Sequence, residues 1–179
     1  MSRKKTIWEM GRATVEEFRC GSKIPLVVVV DNVRSLNNIG SIFRSADGFA
    51  VERVVLCGIS ACPPSPEIHK TALGAENSVA WSYSPSALEA VEALKADGFT
   101  VAALELVHDS VALDRYPVVP GAKYAIVVGN EVDGVDQAVV DACNLALEIP
   151  QSGTKHSLNV AVSAAVAMWT FYSKLRTDE

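Results

Sequence analysis

A chain of 179 residues with 49% hydrophobic and 21% charged side chains has the size and composition of one globular domain, which excludes a disordered or low-complexity protein. The formal net charge of −5 argues against a protein that coats nucleic acid non-specifically, yet leaves room for a local basic patch. Cys20, Cys57, Cys62 and Cys143 form no Cys-x-x-Cys pair and are too sparse for a disulfide scaffold, so they read as reduced thiols of a cytoplasmic protein without a metal site.

The chain opens on the basic Arg3-Lys4-Lys5, but Thr6 to Arg19 lacks the apolar core of a signal peptide. That stretch reads as an amphipathic helix with Ile7, Met10, Val15 and Phe18 inside, part of an N-terminal helical extension over 1–23. Leu26 to Val30, short and β-branched, is a fully buried strand. Ile39 to Phe49 is helical, Arg53 to Cys57 a second strand, and the proline-rich Gly58 to Pro66 a loop. A short helix over Glu67 to Leu73 ends at Gly74, and Val79 to Tyr83 is another strand. Ser84-Pro85 has the form of a cap and first-turn proline for a helix with Leu88, Val91 and Leu94 inside and Gly98 at its end. Thr100 to Leu104, Tyr124 to Val128 and Leu145 to Ile149 are further buried strands, with a helix over Asp136 to Ala142. The last apolar run, Leu158 to Trp169, is shorter than the roughly 20 residues of a membrane span. It is a helix start preceded by the polar cluster Lys155-His156-Ser157 and containing Asn159. Buried strands alternating with helices imply an α/β fold, a mostly parallel sheet with helices on both faces, in a single domain over 1–179.

Three strand ends carry polar loops: Asp31 to Gly40, with Arg44 in the helix that follows; Gly129 to Gly134; and Pro150 to Ser157. Ligands of open α/β sheets collect outside the carboxyl ends of the strands, so the three loops are expected to converge. The absence of a Gly-x-Gly-x-x-Gly run speaks against a dinucleotide site.

The order and spacing of Asn38-x-Gly40 with Arg44, then Gly129-Asn130-Glu131, then Ile149-Pro150 and Ser157-Leu158-Asn159-Val160 resembles the three motifs of the SpoU (TrmH) family of RNA 2′-O-ribose methyltransferases, of the SPOUT superfamily. The resemblance spans Leu26 to about Trp169. It implies a C-terminal deep trefoil knot, which periodicity would never suggest. It also implies S-adenosylmethionine as cofactor, a homodimer whose sites borrow from the neighbouring subunit, and RNA as substrate. With a catalytic domain of minimal size, tRNA is favoured over ribosomal RNA. Where the family commonly has Asp-Pro in its first motif, this chain has Ser35-Leu36.

The resemblance assigns Gly129, Ile149 and Leu158 to the adenosyl part of the cofactor, with Leu104 as a further position. Glycine permits close backbone approach and apolar side chains suit adenine, although Ile149 and Leu158 also have the character of plain core. Arg44 matches the arginine placed at the reacting ribose. Two roles are open to it: general base, or, because a guanidinium stays protonated, a phosphate clamp that orients the ribose. A surface pair with Asp47 is its structural alternative. Asn38 either caps its helix or contacts substrate, Glu131 holds cationic groups, and Ser157 and Asn159 match the third-motif pair, with Ser157 also a good cap for the last helix. Arg34, Lys70, Lys155 and His156 are the candidate RNA contacts, supplying phosphate affinity locally in an acidic chain. A catalytically silent knotted RNA-binding or scaffold protein, and a small-molecule-binding α/β protein, are the other classes open. The last helix is apolar nearly all round, so it needs cover from the sheet and from a second subunit.

Overall fold

The computed structural model describes residues 2–6, 9 and 11–176. Seven strands form one sheet: β1 (Ile24–Asp31), β2 (Val51–Cys57), β3 (Ala80–Ser84), β4 (Thr100–Leu104), β5 (Val111–Ala112), β6 (Tyr124–Val128) and β7 (Leu145–Glu148). They lie in the order β3-β2-β1-β6-β4-β7-β5, and each pairing is parallel. Parallel neighbours need crossovers, and helices lie in most of them: α2 (Leu36–Gly48), α3 (Pro66–Ala72), α4 (Ala75–Ser78), α5 (Ala87–Ala96) and α6 (Gln137–Ala142); α1 (Val15–Cys20) precedes the sheet and α7 (Val160–Leu175) follows its last strand. Among the described residues no helix is long and apolar enough to cross a membrane.

Strand alternation divides the core in two. Val28, Val30, Val54, Leu56 and Ile126 pack under α2 and α7, whose Ile39, Phe43, Met168 and Phe171 are fully buried. Val27, Val29, Val55 and Val127 face the other way onto Val91 and Leu94 of α5 and Val139 of α6. Both faces being covered, the runs Leu26–Val30, Val54–Cys57 and Tyr124–Val128 of the central strands are buried, and polar groups gather toward the strand ends, as Glu52 and Arg53 do at the start of β2 and Asp31 at the end of β1.

Several boundaries differ from the sequence reading. Among the described residues of the Thr6 to Arg19 stretch, the α-helix is α1, started by the capping box of Thr14 and Glu17 after Gly11 in a left-handed conformation (φ +54). Val15 is exposed; Ile7 and Met10 lie outside the described residues. Ser35 caps α2 and starts it three residues early, so Asn38 is not the cap. Leu73, left-handed at φ 53, ends α3, and Gly74 opens α4. Ser86 caps α5 in place of Ser84. Asn159, not Ser157, caps α7: its Oδ1 accepts from the Ala161 and Val162 amides (2.9 and 3.3 Å). β5, two residues long, has no counterpart in the sequence pattern.

α7 is buried along Ala164, Ala167, Met168 and Phe171, while Val162 and Trp169 on its opposite side are 50% and 51% exposed. Trp169 stacks with Phe49 (5.7 Å between ring centres) and Tyr172 (5.9 Å). At the far end Lys174 Nζ donates to the Tyr116 carbonyl (2.9 Å), fastening the segment after β5 to this helix.

Gly40 permits the close approach of α2 and α3. A Cβ there would lie 2.1 Å from Thr71 Oγ1 and 2.3 Å from the Ile68 carbonyl oxygen, a backbone atom that cannot rotate away. Gly40→Ala is therefore expected to destabilise the chain by about 1–3 kcal/mol, read as a lower midpoint in urea unfolding. A wild-type midpoint would contradict the contact.

Candidate active site

The first loop is fixed from beneath. Ser60 Oγ donates to the Val30 carbonyl (3.2 Å) and accepts from the Val33 amide (3.0 Å), while Asn32 Oδ1 accepts from the Ile59 amide (3.1 Å). The β2 loop thus holds the β1 loop in place. Asp31, 2% exposed, accepts from Asn32 Nδ2 (2.8 Å) and from the Asp136 amide (3.2 Å). Burial, aided by the nearby Asp136 carboxylate, keeps its acid above the usual range despite those two bonds.

The second loop reaches across to the first through Glu131. Its carboxylate accepts from Asn38 Nδ2 (2.9 Å) and, at longer range, from the Ser35 and Arg34 amides (3.3 and 3.4 Å). Partial burial alone would raise this acid, but hydrogen bonds from Asn38 and from backbone amides, its own included, outweigh it and hold the carboxyl below its ordinary value. Asn38 Oδ1 then accepts from Asn159 Nδ2 (3.2 Å). Asn159 therefore caps α7 and joins the third motif to the first two. It is exposed in the single chain, and both its amide oxygen and its amide nitrogen are nonetheless hydrogen-bonded.

Between the ends of β4, β6 and β7 lies a cleft of about 450 Å³. All four positions assigned to the cofactor line it: Leu104, Gly129, Ile149 and Leu158. Glu131, His156, Ser157 and Asn159 line it too. Gly129 cannot carry a side chain, since a Cβ would lie 2.0–2.2 Å from the backbone of Gly134 and Val135. Four carboxylates, Glu105, Glu131, Asp133 and Glu148, stand around the cleft against the single imidazole of His156. Such a lining suits a cationic ligand.

The remaining sequence candidates lie elsewhere. Arg44 is exposed on α2, lines neither this cleft nor its neighbour, and has no hydrogen-bond or ion-pair partner among the described residues. The Arg44–Asp47 pair does not form: Asp47 accepts from Ser78 Oγ (2.6 Å). Arg34 gives its amide to Glu131 and leaves its side chain in solvent, and Lys155 is exposed. Lys70 pairs with Glu67 (2.7 Å) on α3. Beside the cleft, Asn38, Ser41, Ser45, Asn159, Val162 and Trp169 border a second, more apolar groove of about 540 Å³. Sequence reasoning missed Asp31 and Glu105. Their one signal is position: each is the carboxylate that follows an apolar strand run.

The SpoU rRNA methylase family model matches residues 25–169, most of the chain and all three motifs. The chain belongs to this family. Among curated SpoU relatives it is 34% identical over 162 residues to the 23S rRNA (guanosine-2′-O-)-methyltransferase RlmB of Nitrosomonas europaea, covering 88% of this chain and 60% of that protein. It is 30% identical over 148 residues to a putative TrmH family tRNA/rRNA methyltransferase of Staphylococcus haemolyticus, covering 83% and 58%. The chain thus spans about three fifths of the length of these relatives. Among solved structures, the SpoU methyltransferase AviRb of Streptomyces viridochromogenes, in complex with the cofactor AdoMet, superposes with a TM-score of 0.75 at 25% identity, over 87% of this chain and 62% of that one. The A. aeolicus TrmH/SpoU tRNA modifying enzyme shares the fold with a TM-score of 0.79 at 23% identity, over 89% and 80%.

The lowered acid of Glu131 carries a pH dependence for this SpoU chain. A carboxyl whose folded pKa lies below its unfolded value adds stability above the unfolded value, near 4.3, and loses it as pH falls through the folded one. Glu131→Gln should lower the melting temperature at pH 7, by no more than about 1 kcal/mol in stability for so exposed a group. The gap to wild type should close as pH falls below about 4. A gap that persists at low pH would show that the carboxylate charge is not what matters.

Proposed function

We propose that the chain is an S-adenosylmethionine-dependent methyltransferase that modifies a ribose 2′-hydroxyl of RNA in the cytoplasm, with tRNA the favoured substrate. The observation that carries this reading is the convergence of Leu104, Gly129, Ile149 and Leu158 on one acidic cleft, with Glu131, Asn38 and Asn159 joined beside it. The residues fit the cofactor: Gly129 leaves room for close approach, Ile149 and Leu158 offer apolar surface to an adenine, and the carboxylates of Glu131, Asp133 and Glu148 favour a sulfonium. When bound, it supplies an electrophilic methyl group.

A 2′-hydroxyl is a poor nucleophile, so the protein's share of the work is to orient it and ease removal of its proton. Arg44 serves as a clamp on the adjoining phosphate, because its guanidinium keeps its proton at working pH. Glu131 and Asn38 hold the first-motif loop in register with the cleft, and Asn159 fixes the third motif to both. Ser157, released from capping, is free to hydrogen-bond donor or ribose. Arg34, Lys155 and His156 provide phosphate contacts around the mouth. Lys70 joins them further out, its exposed pair with Glu67 being weak enough to exchange for RNA.

Arg44 lines neither the cleft nor the groove, and the site is completed by a second copy. Asn38 and Asn159 belong both to the hydrogen-bonded network and to the apolar groove, so a partner seated over Val162, Val166 and Trp169 abuts the cleft and brings its own Arg44 to it. The family's trefoil knot is part of this proposal; α7 packs on the sheet through Phe171 and is tied by Lys174 to the segment after β5, whose Tyr116 meets both Tyr124 and Phe171.

Tritiated methyl transfer to bulk tRNA and to ribosomal RNA tests the activity. Wild type should label tRNA in preference, and Arg44→Ala should lose about 10²-fold or more. Label in neither RNA would return the chain to the reading of a silent RNA-binding scaffold. Sedimentation at micromolar concentration should give a dimer and Trp169→Glu a monomer without activity. A monomeric wild type would overturn the shared site.

A further inference from the structure

The turn after β6 is closed on itself by hydrogen bonds. Asn130 and Gly134 exchange backbone hydrogen bonds (3.1 and 3.2 Å), and Asn130 Oδ1 accepts from the Val132 and Asp133 amides (2.8 Å each). A unit of this kind moves, if at all, as a whole, so its attachments decide where it stands. One attachment is Glu131, bound to the start of α2. The other is made by carboxylates from the two strands that flank β6. Glu105, at the end of β4, accepts from the Val135 amide (3.0 Å), and Asp31, at the end of β1, from the next amide, Asp136 (3.2 Å).

Of these two carboxylates only Glu105 lines the cleft. Its Oε1 accepts from the Leu106 amide (3.0 Å), so one side chain bridges the end of β4 and the end of the turn. Gly134 is fitted to it: φ is +72, and a Cβ there would lie 2.2 Å from Glu105 Oε2. The turn can lie this close to β4 because position 134 has no side chain and position 105 presents acceptors on both oxygens.

We infer that Glu105 is a positioning residue for the methyl-donor cleft: its carboxylate clips the Gly129–Gly134 turn to β4 and so fixes the wall that Leu104 and Gly129 share. This rests on the reading of the cleft as the S-adenosylmethionine site. A carboxylate is required because both oxygens meet backbone N–H donors; glutamine would turn an NH₂ toward one of them. The half-buried amide left without an acceptor would draw the turn outward toward water, at the expense of the cleft's shape.

The test is calorimetric titration of S-adenosylmethionine into wild type, Glu105→Gln and Glu105→Ala, with steady-state methyl transfer to bulk tRNA beside it. For Glu105→Gln the donor Kd should rise about tenfold, equivalent to about 1.4 kcal/mol, and further for Glu105→Ala. KM for the donor should follow while kcat at saturating donor stays within about twofold of wild type. Uniform loss of folded protein would lower kcat instead. Gly134→Ala should weaken donor binding in the wild-type background and do so less in the Glu105→Ala background, where the oxygen its Cβ meets is gone. Wild-type affinity in both Glu105 variants, a fall in kcat with KM unchanged, or strictly additive Glu105 and Gly134 effects would overturn the assignment. A wild-type chain that binds no donor would overturn the reading of the cleft, and this inference with it.

Discussion

A parallel sheet covered by helices on both faces can keep polar side chains only at its strand ends, because a charge anywhere along the buried strands would lack solvent and partners. In this chain Val27 to Val30 and Tyr124 to Val128 are almost wholly buried, and the first ionisable group beyond Val30 is Asp31, at the last residue of β1. Glu105, Glu131 and Glu148 likewise stand at or just past strand ends. The carboxylates gather at one edge of the sheet because the same constraint acts on each strand in turn. A cation-friendly cleft follows from topology before any single contact is considered.

The loops at that edge are joined by side chains more than by one another's backbones. Glu131 ties the second motif to the first, Asn38 passes the link on, and Asn159 carries it to the last helix. Each link is modest in a solvent-accessible setting, on the order of 1 kcal/mol. Rigidity comes instead from what lies under them: Ser60 and Asn32 beneath the first loop, Asp31 and Glu105 beneath the second. Motif residues and their supports are thus different residues, and only the former repeat in a spacing that marks the family.

That division explains what the sequence made legible. Thr100 to Leu104 and Tyr124 to Val128 were read to the residue, because continuous apolar runs bounded by polar ones have few other meanings. Gly129, Ile149 and Leu158 are assigned to the cofactor by motif spacing and Leu104 by its place at a strand end, and the chain brings all four to one cleft. Helix starts are ambiguous where polar residues compete: Ser86 displaces the expected cap Ser84, and of the residues whose capping role the sequence leaves open, Asn38 and Ser157, neither is the cap, Ser35 and Asn159 being used instead. All are competent caps, and tertiary contacts choose among them. A two-residue strand such as β5 has no periodicity to read, and neither Glu105 nor Asp31 differs, as a residue type, from any surface acid. Arg44 is singled out by its motif spacing alone, and a single chain places it in neither the cleft nor the groove.

Asn159 spends its two amide atoms in different directions, Oδ1 on the first turn of α7 and Nδ2 on Asn38. The first turn of a helix is ordinarily its loosest part, fraying independently of whatever lies nearby. Here the same side chain is released when either partner lets go, so fraying of α7 and loosening of the motif network become one event. The burial of Met168 and Phe171 further along the helix therefore protects the site as well as the core. Slow amide exchange at Ala161 and Val162 would be a direct measure of how long the three motifs stay assembled.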